Sequence, residues 1–456
     1  MKNLNDIQNV YLIGIGGIGM SALAKYFKHK GCAVSGYDRT STVLTRELEA
    51  MGIKVHYEEN LDLIPTNPDL VIYTPAISNE HKELQYFIRS QIPVKKRSET
   101  LELISNNSFT IAVAGTHGKT STTALIAHLL HYSGIDCTAF VGGIMKNYNS
   151  NLILSNSSNI VVVEADEYDR SFLRLHPDIA VVTSIDADHL DIYETKDEIE
   201  STFRAFINQI KPNGVLVYQK STEKIAQIGK LISYGLGDAT DYNASQLTWD
   251  GGNYFFSAIT PNEDISNIAF KIPGKYNIEN ALAAIAVAKV LNISNEIIKQ
   301  GLESFQGLKR RFDFVINSDD VVYIDDYAHH PEEIKAVVSA IRSLYPDKKI
   351  AGIFQPHLFS RTRDFMDEFA QSLALLDELY LLDIYPAREL PIDGITSDVL
   401  LEKVDLNVKQ LSSKKYLVDD LKFSNAEVYV TMGAGNIDTE IDKIANYLNE
   451  KFSLVK

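Results

Sequence analysis

Phe109-Thr-Ile-Ala-Val-Ala-Gly115-Thr116-His117-Gly118-Lys119-Thr120-Ser121 is an apolar run that breaks into a lysine turn bracketed by glycines. A helical pattern follows over Thr122–Tyr132. Strand, glycine turn and helix together predict a phosphate-binding unit on a parallel sheet. Backbone N–H groups and the Lys119 ammonium suit the β- and γ-phosphates, and the Thr120 hydroxyl suits Mg²⁺. The common phosphate-loop pattern has glycine five residues before Gly118, where Val113 stands, so this loop is a shorter variant. An exposed Gly-Lys turn is the bland alternative, but it leaves the flanking strand and helix unexplained.

The same plan recurs on either side. Val10–Ile15 runs into Gly14, Gly16, Gly17 and Gly19, and Ala426–Thr431 runs into Gly433-Ala-Gly435 and the helical stretch Ile437–Leu448. No residue-level repeat accompanies it. Strands alternating with helices predict an α/β chain of three domains. These are a Rossmann-like N-terminal domain (1–107), a central domain with an ATPase-like parallel sheet (108–307) and a Rossmann-like C-terminal domain (308–456). The first boundary follows the polar stretch Ser105-Asn-Asn-Ser108, and the second falls at Gly307 after the helical stretch Glu296–Ser304. Trp249-Asp-Gly-Gly-Asn-Tyr reads as a hairpin turn, a small antiparallel addition to the central domain.

Composition bounds the function. The 456 residues carry 44 Lys+Arg against 60 Asp+Glu, a net charge of -16. That balance argues against non-specific binding to nucleic acid or an anionic membrane. Cys32 and Cys137 form no C-x-x-C pair, so a disulfide framework or zinc site is disfavoured and a cytoplasmic setting is expected. No apolar run approaches the roughly 18 residues of a membrane helix. The opening residues lack the features of a signal peptide.

Gly14-x-Gly16-x-x-Gly19, with Asp38 closing the next strand 19 residues after Gly19, is the dinucleotide-fold arrangement. It predicts nucleotide-type binding without identifying the ligand. A glycine turn kept only for close packing has the same spelling. Two apolar strands end in acidic runs, Glu164-Ala-Asp166-Glu167 and Asp186-Ala-Asp188-His189. Carboxylates at the C-terminal ends of parallel strands face the ligand crevice and suit Mg²⁺. Asn277 is a candidate helix cap, and Asn280 lies on the same face. Lys309-Arg310-Arg311 is a basic turn suited to phosphate. Asp325-Asp326-Tyr327-Ala328-His329-His330 and Gln355-Pro-His357-Leu358-Phe359-Ser360-Arg361 gather titratable groups at two further strand ends.

Taken in order, these segments resemble the Mur ligase family of peptidoglycan synthesis, from Tyr11 to about Ile437. GIGGIGMSALA, GTHGKTSTT, EADEYDRSF, DADHLDIY, PGKYNIENALAA, KRRF, DDYAHHPEEI and FQPHLFSRTRDF fall in the family's order and spacing. The first and the last two look most like its alanine-adding members. The resemblance implies a ligase that uses ATP and Mg²⁺ to join L-alanine to UDP-N-acetylmuramate, as a monomer or homodimer. Gly14, Gly16, Gly17, Gly19, Asp38, Ser78, Arg97 and Tyr327 would then contact the UDP-sugar. Gly115, Thr116, His117, Gly118, Lys119, Thr120, Ser121, Asn280 and Arg310 would hold ATP. Thr120, Glu164 and His189 would serve the metal, with Lys119, His329 and Arg361 at the reacting groups.

Three departures stand out. Ser121 replaces a usual threonine and keeps the hydroxyl. Leu358 replaces a usual arginine. Phe203 and Arg204 occupy the region where several relatives carry a carbamylated lysine, so no carbamate bridge is expected. The competing readings are a ligase that attaches a preformed peptide, an NAD-dependent dehydrogenase and a non-catalytic ATP switch. The dehydrogenase leaves the lysine loop idle, and the switch leaves the C-terminal histidines idle.

Overall fold

The computed structural model of the chain describes residues 4–186, 193, 195–226, 229–237, 239–250, 252–387 and 389–453. The chain divides into two compact units. The first comprises 1–248, 255–270 and 279–306, and the second 249–254, 271–278 and 307–456.

The first unit begins with five parallel strands, β1 (Asn9–Ile13), β2 (Ala33–Tyr37), β3 (Lys54–His56), β4 (Leu70–Tyr73) and β5 (Val94–Lys96), in the order β3-β2-β1-β4-β5. Helices α1 (Ile18–His29), α2 (Val43–Ala50) and α3 (Lys82–Arg89) lie between them in the chain, and α4 (Arg97–Ser105) follows β5. The order reverses between β1 and β4, which opens a ligand crevice at their C-terminal ends.

A seven-stranded sheet follows: β6 (Phe109–Ala114), β7 (Thr138–Met145), β8 (Ser150–Ile153), β9 (Ile160–Glu164), β10 (Ile179–Val182), β11 (Val215–Gln219) and β12 (Lys230–Tyr234). Its order is β12-β11-β10-β6-β9-β7-β8, and every recorded pairing is parallel except β7 with β8. Helices α5 (Lys119–Tyr132), α6 (Lys196–Ile207), α7 (Lys275–Val290) and α8 (Asn295–Ser304) accompany it. Residues Ile111–Ala114 of β6 are fully buried, as expected of a parallel strand covered on both faces. Burying Ile111 and Val113 stabilises the sheet by roughly 2 kcal/mol each. Strands β13 (Asn243–Asp250), β14 (Asn253–Ile259) and β15 (Ile265–Phe270) form a separate small sheet, with the expected turn between the first two.

The second unit is built on β16 (Asp313–Asn317), β17 (Val322–Asp326), β18 (Ile350–Phe354), β19 (Glu378–Leu381), β20 (Val408–Leu411) and β21 (Val428–Met432). The order is β16-β17-β21-β18-β19-β20, with β16 antiparallel and the rest parallel. Helices α9 (Pro331–Leu344) and α10 (Phe359–Asp364) follow β17 and β18. Both cysteines are buried packing residues, and burial pushes the Cys137 thiol up to about 12.

Several local readings are corrected. Helix α5 begins at Lys119, not Thr122, because Gly118 turns the chain at φ +80 and hands Lys119 directly to the first helical turn. Strand β10 stops at Val182, not Ile185, and the Thr183 hydroxyl donates to the carbonyl of His117 instead. Asn277 lies inside α7 and does not cap it; its amide donates to the Pro273 carbonyl at 2.6 Å. Asp325 and Asp326 belong to β17 itself, paired with Thr431 and Met432 of β21.

Candidate active site

The lysine loop leaves β6 between the ends of β9 and β10. Gly115 has φ +139, and a Cβ there would lie 2.0 Å from Thr183 Oγ1 and 2.9 Å from the Ser184 amide. No side chain but hydrogen is tolerated at that position. Ser184 braces the loop: its Oγ accepts the His117 N–H at 2.9 Å, and its carbonyl accepts the Thr116 N–H at 3.1 Å. The loop then enters α5, whose N-terminus has no side-chain cap. First-turn N–H groups lack partners within their own helix, and the helix dipole favours an anion there.

Lys119 Nζ donates to the Gly115 carbonyl at 2.6 Å and pairs with both oxygens of Glu167 at 2.9 Å. Glu167, buried, was not among the candidate site residues. Its identity as the lysine's partner depends on the 3₁₀ turn Tyr168–Arg174 that follows β9, which spacing does not reveal. Burial pushes its carboxyl up to about 7, against the pull of Lys119. Burial disfavours the Lys119 charge too, but the carboxylates of Glu167, Asp166 and Glu164 outweigh it and raise its pKa.

This pair predicts a pH effect with a definite sign. A carboxyl raised on folding contributes stability that is fully present below its ordinary value of 4.5 and is lost as pH rises through about 7. Thermal unfolding across that window should show the melting temperature falling as pH rises. Glu167→Gln should remove its share of the fall. Asp325 and Asp326, which burial pushes up to about 6 each against Arg310 and Arg311, act in the same direction, and His128, whose imidazole burial holds down to about 4, offsets part of the fall.

Glu164 ends β9 beside the loop. Its Oε2 accepts the Thr120 hydroxyl at 3.3 Å, and its Oε1 accepts the Gly142 N–H of β7 at 2.5 Å. Two oxygen donors on adjacent elements suit Mg²⁺, which takes one or two carboxylates and completes its shell with phosphate and water. No group of three His, Cys, Asp or Glu side chains converges to hold a metal among the described residues. His189 lies outside the described residues. Asn280 of α7 is brought to the loop: its Oδ1 accepts the Thr122 hydroxyl at 3.1 Å and lies 2.7 Å from a Cβ built on Gly118. His117 Nε2 lies 3.7 Å from Asp186, while Ser121 is half-buried in the first turn of α5.

The N-terminal glycine turn forms a second focus in the same unit. Asp38 Oδ2 accepts the Gly16 N–H at 2.8 Å, so here the acid shapes the turn itself. A Cβ on Gly16 would meet Thr45 Cγ2 at 2.7 Å and Asp38 Oδ2 at 2.9 Å. Gly14 faces Thr74 after β4, and Gly17 precedes α1. Ser78 caps the following bend through the Glu80 N–H at 3.1 Å. Arg97 packs against Gly19, with Cδ 3.0 Å from a Cβ built there, and pairs with Asp166 at 3.6 Å.

In the second unit Arg310, Tyr327 and His329 come together at the end of β17. Arg310 Nη2 donates to the Gly433 carbonyl at 2.6 Å, and its Nε lies 3.3 Å from Asp325 Oδ2. The guanidiniums of Arg310 and Arg311 lie 5.1 and 5.0 Å from the Tyr327 ring centre. His329 Nδ1 lies 3.0 Å from the Tyr327 carbonyl, so Nδ1–H donation leaves Nε2 as the basic nitrogen. The two adjacent histidines differ in role. His330 is the N-cap of α9, while His329 stands edge-on to His357 at 6.0 Å. Arg361 is buried in α10, which starts after Leu358 at φ +72.

Three family models match the chain. They are the Mur ligase family catalytic domain over 9–108, the Mur ligase middle domain over 113–288 and the Mur ligase glutamate ligase domain over 310–435. The chain is 50% identical over 452 residues to a UDP-N-acetylmuramate–L-alanine ligase of Flavobacterium johnsoniae, covering 98% of this chain and 99% of that one. It is 51% identical to the protein of the same name in Flavobacterium psychrophilum, covering 98% and 100%. The structure of a UDP-N-acetylmuramate-alanine ligase from Thermotoga maritima superposes with a TM-score of 0.83 at 26% identity, over 97% and 99% of the two chains. A murein peptide ligase from Psychrobacter arcticus shares the fold, with a TM-score of 0.70 at 23% identity over 97% and 98%.

Proposed function

The chain belongs to the Mur ligase family, and from that premise we propose that it joins L-alanine to the carboxylate of UDP-N-acetylmuramate at the expense of ATP. The observation that carries the reading is Lys119 at the uncapped start of α5, directly before Thr120, whose hydroxyl meets Glu164 at 3.3 Å. The near-full-length relatives named for this reaction support the choice of substrates. We assign the UDP-sugar to 1–107, ATP to 108–307 and the amino-acid side to 308–456. The two buried free cysteines suit a reducing cytoplasm.

A carboxylate is a poor electrophile, and phosphoryl transfer from ATP converts it to an acyl phosphate with a good leaving group. Loop N–H groups and Lys119 hold the β- and γ-phosphates and stabilise charge on the phosphoryl group in flight. Mg²⁺, held by Thr120 and Glu164, supplies further charge neutralisation when bound. The amine of L-alanine then attacks the acyl carbon, and the tetrahedral intermediate expels phosphate. His329 Nε2 is the group we assign to take the ammonium proton. Arg361 is the cation we assign to the oxyanion, with Tyr327 on the sugar. We assign Asn280 and Arg310 to the nucleotide.

Phosphate release from UDP-N-acetylmuramate, Mg-ATP and L-alanine is expected only when all three are present. Release that persists without L-alanine, or faster ligation of a tripeptide than of L-alanine, would overturn the assignment.

A further inference from the structure

Asn151 is fully buried, and the reaction assigns it no role. It sits in β8, at the edge of the sheet that carries the lysine loop, yet its side chain points at α1 of the five-stranded sheet. Its Nδ2 donates to the Ile18 carbonyl at 2.6 Å and to Ser21 Oγ at 3.1 Å. Its Oδ1 accepts from Lys25 Nζ at 3.3 Å. Lys25 can only donate and a carbonyl can only accept, so the partners fix which way the amide points. Ile18, Ser21 and Lys25 are spaced i, i+3, i+7 and line one face of the helix. Lys25 continues the chain to Glu47 of α2 at 3.2 Å.

The placement matters because of what α1 carries. Ile18 is its first residue, directly after Gly16 and Gly17, and no side chain caps that end. The turn's geometry therefore follows the first turn of α1, where two of Asn151's three bonds are made. Thr45 of α2, the helix held by Lys25 through Glu47, packs against Gly16. Strand β8 pairs with β7, whose Gly142 N–H holds Glu164. A single amide thus ties the glycine turn to the strand pair that positions the candidate metal carboxylate.

We propose that Asn151 is a positioning residue for UDP-sugar binding: it sets the first turn of α1, and hence the glycine turn, relative to the phosphate-loop sheet. The proposal rests on the glycine turn being the UDP-sugar site. Asn151→Asp tests it. The carboxylate keeps the size and the Lys25 partner, so the fold is retained. It places an acceptor against the Ile18 carbonyl where a donor stood.

The expected result is a KM and a calorimetric Kd for UDP-N-acetylmuramate raised about 10-fold, with the KM for ATP changed less than about 2-fold. Ser21→Ala removes one acceptor on α1 and no charge partner, and it should raise the same KM about 3-fold. Equal rises in both KM values, or no change in UDP-sugar affinity in either variant, overturn the inference. Gly16→Ala separates the two readings. If it weakens UDP-sugar binding and Asn151→Asp does not, the positioning role fails. If Gly16→Ala leaves binding unchanged, the site assignment fails instead.

Discussion

Lys119→Met should lower ATP-dependent phosphate release by on the order of 10³-fold while leaving the protein folded. The activity loss follows from position. Nζ lies within bonding distance of the Gly115 carbonyl and Glu167, at the mouth of a helix terminus that already favours anions. The retained fold follows from Glu167. Removing one partner of a buried ion pair usually costs about 3–5 kcal/mol, because a bare charge is left behind. Here the carboxyl already stands near 7, and losing the ammonium drives it to take up a proton. A neutral acid is then left in the site. Steady-state kinetics with circular dichroism and thermal unfolding check both halves. A residual rate within about 10-fold of the parent would remove Lys119 from the phosphoryl step.

The parts of the fold that follow chain-local rules were legible in the sequence. Continuous apolar runs ending in glycine gave β1, β6 and β21 to within a few residues, because parallel strands buried on both faces need no alternation. The break between β13 and β14 was legible from the Gly251-Gly252 pair in the sequence, a signal equally local. What escaped was side-chain traffic across strands. Thr183 and Ser184 read as the end of an apolar strand, but they leave the sheet to bond His117. Glu167 was visible as one acid in a run of three, and nothing in the spacing says that it is the one that turns inward to Lys119. The family resemblance implies a ligand contact for Asp38. The structure adds that it is the acceptor for Gly16 N–H, a role that precedes any ligand. The bonds of Asn151 link residues more than 120 apart in sequence, beyond the reach of any periodicity argument.

Arg310→Ala should combine two losses that a second substitution can separate. Asp325 is 1% exposed and has Arg310 Nε at 3.3 Å; its Oδ1 accepts the Thr431 hydroxyl at 2.6 Å. Without the guanidinium, the Asp325 carboxyl, already pushed up to about 6 by burial, is driven to take up a proton, and the second unit should lose about 1–2 kcal/mol at neutral pH. Arg310→Lys should recover only part of this. A point-charge ammonium cannot reach Asp325, the Gly433 carbonyl and Asp438 together as the planar fork does. Arg310→Ala with Asp325→Asn replaces the charge by an amide whose oxygen still accepts from Thr431, and most of the stability should return. Ligation should not return with it. If Arg310 meets ATP as assigned, both the single and the double variant should fall by on the order of 10²-fold in ligation rate. Denaturant unfolding and product formation, measured on the same four proteins, set the two effects apart. Recovery of ligation in parallel with stability would make Arg310 a brace for β17 and Gly433 and nothing more.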